Sequence, residues 1–149
     1  MSSCVPGGDT RAESARAGLR EVPEAAAVVL VHDAARPLVP DEVVERLLAP
    51  LAEGWDGAVP ALQVADTIKR VRGEEVIETL SRDELVAAQT PQAFSTGILR
   101  VALGGDVTGA SDCSSLVEAA GGRVKTVDGD PRLLKVTTAE DLALVESWL

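Results

Sequence analysis

Short apolar runs that alternate with amphipathic stretches predict an α/β domain with a mostly parallel sheet. Residues 27–32, Ala-Val-Val-Leu-Val-His, form an apolar run that is typical of a parallel strand buried on both faces. Residues 40–53 follow with apolar side chains at helical spacing and two acids in the first turn. Residues 58–62 are a second apolar run. Together the three segments predict a β-α-β unit.

The pattern changes at residues 64–80, which predict a β-hairpin. Its half-polar arms flank Arg72-Gly73-Glu74-Glu75, and we expect this arm to project from the domain. Beyond it, Thr90-Pro91-Gln92 interrupts any helix. The spacing then predicts helices at 95–103, 111–120 and from Thr137 or Thr138 to the end, and strands at 123–127 and 133–136. On the last helix, the predicted core face is Leu142, Leu144, Val145, Trp148 and Leu149.

Composition and charge narrow the class of protein. The 149 residues are 46% apolar, which suits one domain with an aliphatic core. The 24 acidic and 14 basic residues give a net charge of −10, which argues against nucleic acid as a partner. A few arginines and lysines can still form a positive pocket for a small phosphorylated ligand. Without a membrane-spanning run or a secretory pattern, we expect a soluble cytoplasmic protein with no membrane partner.

The loop after the first predicted strand carries the strongest chemical signal. Asp33 and Arg36 lie three residues apart at the carboxyl end of that strand, where α/β sheets bind ligands. An aspartate there can bind a metal on a nucleotide or a sugar hydroxyl, and an arginine can hold a phosphate with its planar fork. The same spacing also suits an Asp33–Arg36 ion pair that only stabilises the loop, and spacing alone favours neither reading.

Five ordered motifs resemble the family of 2-C-methyl-D-erythritol 4-phosphate cytidylyltransferases. They are residues 7–14 (Gly-Gly-Asp-Thr-Arg-Ala-Glu-Ser), 31–37 (Val-His-Asp-Ala-Ala-Arg-Pro), 66–69 (Asp-Thr-Ile-Lys), 88–94 (Ala-Gln-Thr-Pro-Gln-Ala-Phe) and the C-terminal set 129–130, 135–137 and 140–142. The resemblance implies a Rossmann-like nucleotidyltransferase sheet with a projecting hairpin arm at about 64–80. It also implies transfer of a cytidylyl group from CTP to methylerythritol phosphate in non-mevalonate isoprenoid biosynthesis, with Mg²⁺ on the triphosphate.

The resemblance also implies roles for single residues. Catalytic roles fall on Arg36, Arg82 and Lys135. Nucleotide and sugar-phosphate binding falls on Gly8, Asp9, Ser14, Asp33, Ala34, Thr67 and Thr90, with Asp33 also a candidate metal ligand. In the family the hairpin arm reaches a second subunit, so a homodimer is expected, with each site shared. Each role has a simpler rival: Arg82 could form a surface ion pair with Asp83, and Thr67 and Thr90 could be ordinary strand and turn residues.

One departure from the family pattern stands out. The family begins with a strand and a Gly-rich loop whose Arg and Lys stabilise the transition state, and nothing in this sequence matches them. We therefore expect the N-terminal β-α-β portion to be absent from this chain. A catalytically inactive dimerisation or ligand-binding remnant is the alternative function, and a different sugar-nucleotide transferase of the same architecture is a weaker one. Smaller departures are Leu133, where the family often has Asn, and Ser111-Asp112-Cys113 before a helix.

Overall fold

The computed structural model describes residues 3–149 as five helices, seven strands and two 3-10 turns. The helices are α1 (Arg11–Arg20), α2 (Asp41–Ala52), α3 (Thr96–Gly104), α4 (Cys113–Ala119) and α5 (Ala139–Glu146). The strands are β1 (Val28–Val31), β2 (Gly57–Gln63), β3 (Lys69–Arg72), β4 (Glu75–Thr79), β5 (Val86–Ala88), β6 (Gln92–Ser95) and β7 (Val124–Asp128). The 3-10 turns span Arg82–Glu84 and Pro131–Leu133. The predicted α/β class is thereby confirmed.

Five of the strands form the central sheet. β6 lies between β1 and β2 and is antiparallel to both, so β1 and β2 run in the same direction. β7 runs parallel to β2 along its other edge, and β5 pairs antiparallel with the far end of β2. Three of the five strands, β1, β2 and β7, thus run in the same direction, in agreement with the predicted mostly parallel sheet. The other two, β5 and β6, were not predicted, because the Thr90-Pro91 step between them indicated only a break.

The core lies on both faces of this sheet. In β6, Phe94 packs into a cluster with α1, α3 and α4, while its neighbour Ala93 packs against α2 on the opposite face. This is the two-residue alternation of a strand buried on both sides. Phe94 is fully buried, and an added Cβ at Gly57 would lie 2.6 Å from its ring carbon Cδ1. Glycine at position 57 therefore makes room for the one phenylalanine of the chain.

Substitution of Gly57 by alanine tests this close approach. We expect Gly57→Ala to lower the free energy of unfolding by about 1–3 kcal/mol, because a fully packed ring must shift to admit the methyl group. Gly97→Ala is the matched control, since nothing lies within 4 Å of a Cβ added at this position in α3. Urea denaturation of the three proteins gives the comparison. Equal losses from both substitutions would mean that Phe94 does not require the glycine.

The hairpin of β3 and β4 is confirmed as a separate two-stranded sheet. Its chain reverses at Gly73, whose φ of +60° lies in the left-handed region that favours glycine. Every residue of both strands is exposed, including the apolar side chains of Val71, Val76 and Ile77. The arm therefore has no hydrophobic core of its own within the chain.

Two predictions near the C-terminus are wrong. Residues 133–136 are not a strand, since Leu133 ends a 3-10 turn and the segment is held by the loop after β1. Val136 N–H donates to the Ala35 carbonyl, and the Arg36 guanidinium donates to the Leu133 carbonyl. The predicted core face of α5 reduces to Val145, and Trp148 is 41% exposed. The predicted start of this helix is confirmed, with Thr138 as its cap.

No helix within residues 3–149 combines the length and the hydrophobicity that crossing a membrane requires.

Candidate active site

Asp33, in the loop after β1, is the centre of a cluster of charges. Its Oδ1 accepts hydrogen bonds from Nε and Nη2 of Arg11, both at 3.2 Å. Its Oδ2 lies 3.1 Å from Nζ of Lys135 and 4.0 Å from Nε of Arg36. Three cations thus surround one carboxylate, and the cluster keeps a surplus of positive charge that suits an anionic ligand.

These contacts keep Asp33 ionised. Burial of its carboxylate, whose side chain is 16% exposed, would by itself raise the pKa. The hydrogen bond from Lys135 and the charges of Arg11 and Lys135 outweigh this effect and hold the pKa of Asp33 below its ordinary value. Asp33 therefore stays negative at neutral pH and can hold its cationic neighbours in fixed positions.

Thr90 and His32 fix the shape of the loop. The Thr90 hydroxyl accepts a hydrogen bond from Asp33 N–H at 3.0 Å and lies 3.1 Å from His32 Nδ1. His32 Nε2 lies 2.9 Å from the Arg36 carbonyl, which can only accept, so this nitrogen carries the proton. In that tautomer, Nδ1 accepts from the Thr90 hydroxyl. His32, the one histidine of the chain, therefore orients the loop.

Gln89 brings the C-terminal segment to the same site. Its side-chain amide donates to the Asp130 carbonyl at 3.0 Å, and its Oε1 accepts from Asp130 N–H at 3.1 Å. Gly129 permits this, since a Cβ there would lie 2.3 Å from the Gln89 Oε1. The pairing places the segment that carries Lys135 beside the loop after β1. Gln89 and Asp130 each lie in a motif quoted above, but their spacing in the sequence does not indicate that they form hydrogen bonds with each other.

Asp112, the N-terminal cap of α4, is a site residue that the sequence analysis missed. Its Oδ2 accepts from Gln92 Nε2 at 2.7 Å and from the Ser114 hydroxyl at 2.8 Å, and its Oδ1 accepts from Ser115 N–H at 2.9 Å. Burial would raise the pKa of Asp112, but these hydrogen bonds hold the pKa below its usual value. The signal in the sequence is the Ser111-Asp112-Cys113 departure from the family pattern, which does not indicate these contacts.

Two clefts meet at Arg11 and Asp33. The first, the lysine cleft, has a volume of about 180 Å³ and is lined by Arg11, Asp33, Arg36, Ala88, Gln89, Thr90, Gln92, Ser111, Asp112 and Lys135. The second, the serine cleft, has a volume of about 240 Å³ and is lined by Arg11, Ser14, Ala15, Val31, His32 and Asp33. Arg11 and Asp33 are the two residues that line both. Two ligand groups can therefore approach one another across this pair of side chains.

The structure brings five of the ten residues that the sequence singles out into the two clefts. Asp33, Arg36, Thr90 and Lys135 share the lysine cleft. Ser14 lines the serine cleft, and its hydroxyl accepts a hydrogen bond from Gly8 N–H at 3.1 Å. Asp9 and Ala34 are exposed and line neither cleft.

Thr67 and Arg82 lie outside both clefts. Both are exposed, and Arg82 Nη1 donates to the Ala65 carbonyl at 2.6 Å. The simpler reading of Arg82 as the partner of Asp83 is wrong, since Arg82 forms no salt bridge anywhere within residues 3–149. Within one chain, Arg82 therefore neither completes the site nor is neutralised by a carboxylate.

Comparison with known proteins decides the family. The sequence model of the 2-C-methyl-D-erythritol 4-phosphate cytidylyltransferase family matches residues 2–149. The chain belongs to this family. A cytidylyltransferase of that name from Rubrobacter xylanophilus is 44% identical over 153 residues, which cover 100% of this chain and 66% of the relative. The cytidylyltransferase of the same name from Saccharopolyspora erythraea is 47% identical over 152 residues, which cover 97% of this chain and 66% of the relative.

Solved cytidylyltransferases of this family share the fold. The crystal structure of the Thermus thermophilus protein superposes with a TM-score of 0.83 at 37% identity, covering 97% of this chain and 71% of that one. The Anaerococcus prevotii protein superposes with a TM-score of 0.87 at 28% identity, again over 97% of this chain. The predicted Rossmann-like nucleotidyltransferase fold is thus confirmed. The chain spans about two thirds of the length of the curated relatives it matches.

Proposed function

We propose that the protein transfers a cytidylyl group from CTP to 2-C-methyl-D-erythritol 4-phosphate, giving CDP-methylerythritol and pyrophosphate. The observation that carries the proposal is the convergence of Asp33, Arg36, Thr90 and Lys135 in the lysine cleft of a chain that belongs to this family. A phosphate oxygen of the sugar attacks the α-phosphorus of CTP, and the bond from that phosphorus to the β-phosphate oxygen breaks. Both reactants are anions, which a cleft with surplus positive charge can hold together.

The residues of the lysine cleft have distinct tasks in this reaction. Lys135 and Arg36 bind the sugar phosphate, the first as a compact point charge and the second through its planar fork. Asp33 aligns these cations, since it contacts both. Thr90 fixes the backbone of Asp33. The serine cleft, which is lined by Ser14 with its hydroxyl held by Gly8 N–H, receives the cytidine.

Magnesium belongs with the triphosphate in this proposal. Mg²⁺ keeps several waters and binds through one or two carboxylates together with substrate phosphates. No cluster of three His, Cys, Asp or Glu side chains suited to a metal occurs within residues 3–149, and both oxygens of Asp33 already contact cations. The described residues therefore do not make a magnesium site by themselves. The expectation that Asp33 binds metal stays a prediction, and no step depends on it.

Release of pyrophosphate tests the proposed function. The chain is incubated with CTP, Mg²⁺ and methylerythritol phosphate, and we expect pyrophosphate release that requires all three. Replacing CTP by ATP and omitting the sugar phosphate are the controls. The alternative function is that of a catalytically inactive dimerisation or ligand-binding remnant of the same fold. Calorimetric binding of both substrates without pyrophosphate release would favour that alternative.

We further propose that the hairpin arm mediates a homodimer. Val71, Val76 and Ile77 are 57%, 56% and 46% exposed, and a lone two-stranded hairpin is only marginally stable in water. A second copy that covers these side chains would stabilise the arm. The same contact would carry Arg82, which forms no salt bridge within residues 3–149, towards the site of the partner.

Replacement of residues 69–79 by a short Gly/Ser linker tests the dimer. We expect sedimentation to show a dimer for the parent chain and a monomer for the linker variant, because the replaced segment supplies the exposed apolar surface. The control is Val101→Ser, which changes an apolar side chain that is 64% exposed on α3, away from the hairpin. A parent chain that is monomeric at micromolar concentration would contradict the proposal.

A further inference from the structure

Arg11 lies where the two clefts join, and the roles proposed above give it no task. It is the first residue of α1, and it lines both the lysine cleft and the serine cleft. Asp33 is the other residue that lines both, and its negative charge would repel a phosphate. An α-phosphoryl group that stays bonded to a cytidine in the serine cleft, and is attacked by a sugar phosphate in the lysine cleft, therefore lies beside Arg11.

The guanidinium of Arg11 has donors left for such a group. An arginine carries five N–H donors. Two of them bind Asp33 Oδ1, from Nε and Nη2, and Nη1 contacts the Cys113 sulfur at 3.7 Å. One N–H on Nη1 and one on Nη2 therefore have no partner within residues 3–149. The side chain is 33% exposed, so an anion in the clefts can reach it.

Asp33 and Cys113 hold this guanidinium in place before any ligand binds. Cys113 is fully buried, and burial raises the pKa of its thiol, so the sulfur stays a neutral contact at neutral pH. Arg11 thus connects α1, the loop after β1 and the start of α4. Donors that are fixed in advance stabilise developing charge without a cost of reorganisation.

We propose that Arg11 is a catalytic residue that contacts the α-phosphoryl group of the nucleotide while its bond to the β-phosphate oxygen breaks and its bond to the sugar-phosphate oxygen forms. The proposal rests on the proposed function for the identity of that group. It assigns to Asp33 the task of aiming Arg11 as well as Lys135. The rival explanation is that Arg11 only ties α1 to the loop after β1, with no contact to ligand.

Binding of inorganic pyrophosphate, measured by titration calorimetry, tests Arg11 without any need for turnover. We expect Arg11→Gln to weaken pyrophosphate binding at least about 10-fold, because charge-assisted hydrogen bonds to an anion are lost. Arg11→Lys keeps the charge and should recover part of the affinity. Arg20→Gln is the control, since this exposed arginine ends the same helix and lines neither of the two clefts. Urea denaturation checks that all variants are folded.

The outcomes separate this proposal from the proposed function. Pyrophosphate binding that depends on Arg11, in a chain that never releases pyrophosphate from CTP, supports the anion contact and contradicts the cytidylyltransferase activity. Full turnover by Arg11→Gln supports the activity and overturns the role of Arg11. A parent chain that does not bind pyrophosphate, equal affinity of the parent and Arg11→Gln, or no difference between Arg11→Lys and Arg11→Gln also overturns it.

Discussion

Asp33→Asn is expected to lower turnover about 100-fold while pyrophosphate binds as well as before or more tightly. The amide keeps the shape of the side chain but removes the charge that three cations contact. The cleft becomes more positive, which favours anions in general. Arg11 and Lys135 are no longer held in line, so the reacting groups lose their alignment. A fall in kcat without a rise in the dissociation constant for anions is the signature of this role.

The same substitution should destabilise the fold. Asp33→Asn leaves the cations to repel one another, and Nε of Arg36 is buried with no hydrogen-bond partner within residues 3–149. We expect a loss of about 2 kcal/mol in the free energy of unfolding near neutral pH. Asp9→Asn, at an exposed position outside both clefts, is the control.

The pH dependence of this loss has a defined sign. The pKa of Asp33 is lower in the folded state than in the unfolded chain, because its contacts with Lys135 and Arg11 favour the charged form. Its contribution to stability is therefore present above the unfolded pKa of about 3.9 and disappears as the pH falls through the folded pKa. Urea denaturation of parent and variant should differ at neutral pH and converge in acid. A difference that stays constant as the carboxylate protonates would contradict an ionic origin.

The sequence predicts the elements of this fold better than their arrangement. The apolar run of β1, the helix α2 and the capping residue Thr138 all follow from local spacing and capping chemistry, and each is where it was expected. The insertion of β6 between β1 and β2 was missed, because a four-residue strand after a proline carries no periodic signal. Residues 133–136 resemble a strand by composition, but contacts from the loop after β1 fix them instead.

For the candidate site too, the sequence predicts single residues better than the contacts between them. Motifs identify Asp33, Arg36, Thr90 and Lys135, which the fold brings together from three separate segments. Arg11 and Asp112 were missed as site residues, because their roles depend on contacts with side chains 22 and 20 positions away, Asp33 and Gln92. No local pattern encodes a pairing at such distances. Only the packed sheet and helices reveal that Arg11 lies between two clefts.

Lys135→Ala is expected to weaken methylerythritol phosphate binding by about 10- to 100-fold, because a charge-assisted contact with the phosphate is lost. CTP affinity should change little, since the cytidine is assigned to the serine cleft, which Lys135 does not line. The side chain of Lys135 is 47% exposed, so stability should fall by less than about 1 kcal/mol. Lys125→Ala, which breaks the exposed ion pair with Glu53, is the matched control. Calorimetric titration with each substrate in turn gives the comparison.

Arg82→Ala should also weaken the binding of methylerythritol phosphate, although Arg82 lies outside the lysine cleft of its own chain. If the arm reaches a second subunit, Lys135 and Arg82 at one site come from different chains. A mixture of the two single variants then contains dimers in which one of the two sites has both residues intact. Random reassociation should restore about a quarter of the parental sites, since half of the dimers are mixed and half of their sites are complete. Binding or turnover that stays at the level of the separate variants after mixing would contradict the shared site, and Arg82 would then act within its own chain or not at all.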